Sequence, residues 1–105
     1  MSYHTTDAYG VTCIAPPANV LERLIAELPE ANEEAFPEVS LHHENGHVLT
    51  YTLSRRLIWE DPALGDQVRV LDDCAPAETL RRWQLLTTGA LDELKQCEWG
   101  PTEEW

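Results

Sequence analysis

Asn45-Gly46 stands between two β-patterned runs, and no other feature of this chain restricts its fold as tightly. Tight hairpin turns need positive φ, which asparagine and glycine tolerate, so the pair reads as a hairpin connection. The flanking side chains decide the turn length. A two-residue Asn-Gly loop would pair Glu44 with His47, setting Leu41 opposite Thr50 and Val39 opposite Thr52. A three-residue loop, Glu44-Asn45-Gly46, with glycine left-handed in a G1 bulge, pairs His43 with His47, Leu41 with Leu49 and Val39 with Tyr51. This second register gathers Val39, Leu41, Leu49, Tyr51 and Leu53 on one face and puts Ser40, His42, Val48, Thr50, Thr52 and Ser54 on the other. A slip of one residue scatters the apolar set, so the three-residue loop is preferred. The second strand is expected to continue through Arg55-Arg56 to Ile58 and Trp59, until Asp61-Pro62 and Gly65-Asp66 break it.

The remaining elements follow from periodicity. Tyr9, Val11 and Cys13 alternate with Gly10, Thr12 and Ile14, which predicts a short first strand ended by Pro16-Pro17. Leu21, Leu24, Ile25 and Leu28 share one helical face, predicting an amphipathic helix over 17–28 with proline in its first turn and Pro29 beyond its end. Glu30 to Pro37 reads as an irregular connector. Val68, Val70 and Leu71 predict a further strand over 67–71. Over 76–97, Leu80, Trp83, Leu86, Thr87, Ala90, Leu91, Leu94 and Cys97 form one helical stripe, with Arg81 and Arg82 outside it beside Glu78 and with Gly89 as a point of bend or break. The order is β-α-β-β-β-α. An antiparallel-rich sheet needs its apolar face covered, and the two amphipathic helices supply the cover. The expected fold class is α+β, a two-layer sandwich with a mainly antiparallel sheet of about four strands, in one domain over 1–105 whose residues 98–105 form an acidic tail.

Charge bounds the function. Seven Lys and Arg against 19 Asp and Glu give a net −12, a field that repels phosphate backbones and anionic membrane surfaces. The 43% hydrophobic content, with four Trp and three Tyr, excludes a disordered acidic tail as the whole chain. No apolar run is long enough to span a membrane, and Met1 to Ala8 lack the basic and apolar segments of a secretory signal. Three cysteines without a pairing pattern fit reduced thiols in the cytoplasm. Cys13 and Cys97 continue apolar patterns and are expected inside, whereas Cys74, beside Asp72 and Asp73, has the more exposed setting.

Signatures of catalysis are absent: there is no nucleophile elbow, no phosphate-binding loop and no cofactor motif, so the chain reads as a non-enzyme without cofactors. His43 and His47, cross-strand neighbours beside His42 and Glu44, are the one pair placed to share a metal ion, which makes a small metal-binding or sensor domain the alternative function. The leading expectation rests on the acids. Glu27, Glu30, Glu33, Glu34 and Glu38 follow one another with no base among residues 27–38, and Trp99 lies beside Glu98 as an aromatic anchor. Acid surfaces of this kind attract basic partners and speed encounter. The expected function is a non-enzymatic acidic binding protein that inhibits or regulates a basic protein, in the manner of immunity proteins or nucleic-acid mimics of phage. A subunit of an oligomer, with the stripe of the long helix packed on a second copy, is a third reading.

Overall fold

The computed structural model describes residues 3–28 and 38–104, with the side chains of 103 and 104 left out. In chain order the elements are β1 (Tyr3–Thr6), β2 (Thr12–Ile14), α1 (Ala18–Glu27), β3 (Glu38–His43), β4 (Val48–Thr52), β5 (Leu57–Glu60), β6 (Gln67–Leu71), α2 (Pro76–Thr87), α3 (Leu91–Gln96) and β7 (Glu103–Glu104). They form one antiparallel sheet in the order β2-β1-β3-β4-β5-β6-β7, six strands and a two-residue seventh at the edge. The α+β class and the two layers hold. The strand count exceeds the four expected, for reasons found in the turns.

The central hairpin has the three-residue loop that the apolar pattern requires. Leu41 faces Leu49 and Val39 faces Tyr51, the His43 N–H donates to the His47 carbonyl at 3.0 Å, and Gly46 has φ +88°. Two further loops repeat this hydrogen bonding. Asp7 and Val11 close around Ala8-Tyr9-Gly10, and Thr52 and Arg56 close around Leu53-Ser54-Arg55. The left-handed third position is glycine in two of the loops, but Arg55 holds it at φ +65° in the other. That last turn folds the expected continuous strand into the β4–β5 hairpin and expels Leu53 from the core face, leaving it 53% exposed. The first loop likewise corrects the N-terminus. Tyr9 and Val11 lie in or beside the turn, and the strand expected over 9–14 is a hairpin of β1 with the shorter β2.

On the helix-facing side of the sheet, Val39, Leu41, Leu49, Tyr51, Leu57 and Trp59 pack against Leu21, Leu24, Ile25 and Leu28 of the first helical segment and Trp83, Leu86 and Leu94 of α2 and α3. Burial of these aliphatic and aromatic groups, each worth about 1.5–3 kcal/mol, is what holds the layers together. The Tyr51 hydroxyl donates to the Cys74 carbonyl at 2.7 Å and fixes the start of α2 to the sheet. Cys74 is therefore buried, not exposed, and burial pushes its thiol pKa up, while Cys13 and Cys97 are only half-buried.

The long C-terminal helix breaks where its glycine stands. Gly89 takes φ +74°, the Ala90 N–H reaches the Leu85 carbonyl and the Gly89 N–H reaches that of Leu86. This is a helix C-cap in which glycine supplies the left-handed residue, and α3 starts again at Leu91. Across the break, Trp83, Leu86 and Leu94 of the apolar stripe are buried in this chain's own core, with Leu80 and Leu91 partly buried against it.

Candidate functional site

Polar and aromatic side chains from four elements meet at the end of the central hairpin. The register sets Trp59 of β5 between Leu49 and Arg69, on the helix-facing side of the sheet. The Trp59 indole N–H donates to His47 Nδ1 at 2.9 Å. An indole can only donate, so neutral His47 carries its proton on Nε2. The Arg69 guanidinium stacks over Trp59 at 4.6 Å and binds Asp61 Oδ2 at 2.6 Å, while Asp61 Oδ1 accepts from the Ala63 N–H and lies 3.9 Å from His47 Nδ1. Trp99 packs against Trp59 at 5.3 Å with the ring planes tilted by 44°, and Arg82 covers Trp99 at 4.7 Å. The result is a cluster, called the stack below, in which contacts run from guanidinium to indole to tilted indole to guanidinium.

Each charge in the stack has an anchor. Burial opposes ionisation of Asp61, but Arg69, the Ala63 N–H and His47 together hold its carboxyl below the usual range. Arg81 holds Glu78 down to about 2 against the opposing effect of burial, with Arg82 adding to the same shift. Burial lowers the His47 pKa. Asp61 opposes that shift, and Lys95, His43 and Arg69 add to it. Arg82 was expected on the solvated side of its helix. It is buried, because the Glu78 carboxylate, the Glu98 carbonyl at 2.7 Å and the Trp99 ring satisfy the guanidinium inside the fold.

His43 and His47 are cross-strand neighbours as expected, and both are buried. The Asn45 N–H donates to His43 Nδ1 at 3.2 Å, so both rings already use Nδ1 as an acceptor. His43 Nε2 is enclosed without a hydrogen-bond partner among the described residues. Among the described residues, no group of three or more His, Cys, Asp or Glu is placed to hold a metal ion. A different histidine pair escaped the sequence pattern: His4 and His42, opposed on β1 and β3, stack at 4.7 Å on the face away from the helices. Burial and then the charge of His4 lower the His42 pKa.

The expected partner-binding acids are only partly in view. Glu30, Glu33 and Glu34 lie outside the described residues. Glu27 is exposed at the end of α1, 3.8 Å from Arg23, and lines a small hollow with Asp7, Leu28 and Val39. Glu38 is exposed at the start of β3. Trp99 is half-buried in the stack, with its indole N–H on the Leu94 carbonyl at 3.0 Å, so it is a structural anchor and not a free contact. It docks the segment expected to be a tail, since the Gly100 N–H also bonds Val70 O at 2.8 Å and β7 adds to the sheet.

The bases have a common fate. Arg23, Arg56, Arg69, Arg81 and Arg82, five of the seven, form ion pairs with the chain's own acids. Glu38, Glu44, Glu60, Asp66, Asp92, Glu93 and Glu98 have no ion-pair partner among the described residues, and all but the half-buried Glu60 are exposed. Comparison of the chain with protein-family models, with curated proteins and with solved structures returned no match.

Proposed function

We propose that this chain is a non-enzymatic acidic binding protein that inhibits or regulates a basic protein partner. The observation that supports the reading is the net charge of −12 together with its distribution: five of the seven bases are already held in ion pairs with the chain's own acids, while Glu38, Glu44, Asp66, Asp92, Glu93 and Glu98 are exposed with no ion-pair partner among the described residues. An external cation meets a surface on which carboxylates outnumber bases, the condition for electrostatic steering. The contact acids are assigned to Glu27, Glu30, Glu33, Glu34 and Glu38, the run that spans the end of α1 and the start of β3.

The immobilised chain should retain basic proteins from a native lysate and release them as salt is raised, because exposed charge pairs are screened within about 8 Å at physiological ionic strength. A chain carrying Glu30→Lys, Glu33→Lys and Glu34→Lys should lose that retention while melting like the parent. Recovery of only acidic proteins, or retention indifferent to salt, would refute the proposal.

A further inference from the structure

One part of the surface has the opposite character. Residues 8–21 hold no charged side chain in a chain that is 25% charged. Tyr9, Val11 and Ile14, three of the four large hydrophobics most exposed among the described residues, fall within it at 57%, 60% and 72%. This stretch includes β2, which forms one edge of the sheet, and among the described residues no strand pairs with its outer side. Edge strands are ordinarily guarded by charges, prolines or bulges. Thr12-Cys13-Ile14 has none of these, whereas the strand at the opposite edge is Glu103-Glu104.

The hydrogen bonding fixes which groups of β2 are free. The Asp7 N–H donates to the Val11 carbonyl and the Ala15 N–H to the Tyr3 carbonyl, so residues 11 and 15 direct their polar groups at β1. Bonding alternates along an antiparallel ladder, so Cys13 opposite Thr5 also faces β1, and Thr12 and Ile14 direct their N–H and C=O groups outward. Those two residues can satisfy each other across a two-fold axis at Cys13. Thr12 of one chain then exchanges both bonds with Ile14 of the other, and the reverse, for four hydrogen bonds in all. Centring the axis on Ile14 would set Thr12 against Pro16, which has no N–H to give.

We propose that the outer edge of β2 pairs antiparallel with β2 of a second copy, joining two sheets into one across a two-fold axis at Cys13. A second copy is the occupant favoured by charge. Two chains of −12 repel wherever their acids meet, and this edge lies in the longest run of the sequence that carries no charged side chain. A basic partner gains nothing there. A three-residue ladder with a few apolar side chains is smaller than a standard interface, so the dimer is weak, with dissociation in about the micromolar to millimolar range.

Sedimentation over a dilution series in low and high salt tests the pairing. The mass should rise from 11.9 kDa toward twice that value with concentration, and more readily in high salt, where repulsion between the copies is screened. Ile14→Lys and Thr12→Pro should each hold the chain at the monomer mass with its circular dichroism unchanged. At the proposed axis the two Cys13 residues form a non-hydrogen-bonded pair with Cα atoms about 4.5 Å apart, within disulfide reach. Diamide should therefore take one hydrogen from each thiol, becoming the hydrazine as the sulfur–sulfur bond forms. The resulting covalent dimer should be absent in Cys13→Ser and present in Cys97→Ser. A monomer at every concentration and salt would overturn the proposal. So would a dimer that survives both edge variants, or one that Cys13 does not link. Because salt strengthens this association and weakens binding to a basic partner, either proposal can fail without the other.

Discussion

Replacing Arg82 with methionine removes a guanidinium that performs three tasks at once. The side chain is 5% exposed, its Nε lies 2.9 Å from Glu78 Oε2, its Nη1 lies 2.7 Å from the Glu98 carbonyl, and its charge covers the Trp99 ring. A hydrogen bond from a charged donor contributes about 1.5–3 kcal/mol net, and a desolvated cation–π contact up to about 2. Glu78 adds little to the loss. It is 32% exposed and keeps Arg81 at 2.7 Å, so its carboxylate is not stranded. Methionine preserves much of the packing of the arginine stem. Because the contacts overlap, the expected loss is about 3 kcal/mol, a large share of the roughly 5–15 kcal/mol that hold a domain folded. Urea denaturation followed by tryptophan fluorescence measures it. A cycle with Trp99→Leu should show coupling of about 1 kcal/mol or more, since the two residues share one contact. Protection of the Gly100 N–H from exchange should fall in the same variant, because that bond to Val70 depends on the docked segment. A loss below about 1 kcal/mol with Gly100 still protected would show that the segment docks without Arg82 and refute the reasoning.

Two further perturbations separate backbone from charge. Arg55→Gly should raise the melting temperature by a few degrees, because a non-glycine residue in the left-handed region costs about 1–2 kcal/mol and glycine returns only part of that as chain entropy; an unchanged or lower melting point counts against the strain. His47→Gln keeps an acceptor for the Trp59 N–H and removes a titrating ring whose folded pKa lies below 6.5. The neutral ring is the one the fold prefers, so its contribution is complete above about 6.5 and is lost as pH falls through the lower folded value. The variant should therefore lose less stability than the parent between about pH 7 and pH 5, with a residual slope from His42, which burial and His4 also lower. Parallel curves for the two proteins would exclude His47 as the source.

What the sequence disclosed follows the reach of each signal. The hairpin register was readable because Val39, Leu41, Leu49 and Tyr51 vote for one pairing, with Val48 alone on the other face, and the loop hydrogen bonds agree. The β4–β5 turn was hidden because its left-handed position is filled by arginine, so Leu53-Ser54-Arg55-Arg56 has no glycine or asparagine to mark it. β1 was missed for another reason. Tyr3-His4-Thr5-Thr6 is nearly polar, and Thr5 is buried through its neighbours and not through its own hydrophobicity. Gly89 was marked as a weakness in one helix, and the structure makes it the cap of the first of two. The aromatic and guanidinium stack could not be read from spacing at all, since residues 59, 69, 82 and 99 meet only after the sheet and helices are packed. The nearest available clue was the Trp59–Arg69 pairing, which follows once β5 and β6 are aligned.

The stack also changes what the composition means. A count of −12 treats every base as a surface charge able to soften the field, yet Arg69 and Arg82 are drawn inward over indoles and against carboxylates. Each takes a carboxylate with it, Asp61 with Arg69 and Glu78 with Arg82, so the net charge left outside is unchanged. Arg69 and Arg82 thus serve the interior by holding Trp59 and Trp99, and the acidic field outside is set by carboxylates such as Glu38, Glu44 and Asp92, which have no ion-pair partner among the described residues. The edge at β2 gains from the same arrangement. With acids elsewhere keeping copies apart, an unguarded strand can stay exposed without indiscriminate aggregation, and the proposed two-fold pairing at Cys13 joins two strands that carry no charged side chain. Opposite responses to salt are the consequence: the acidic surface loses its partner as ions screen it, and the neutral edge finds its twin more easily.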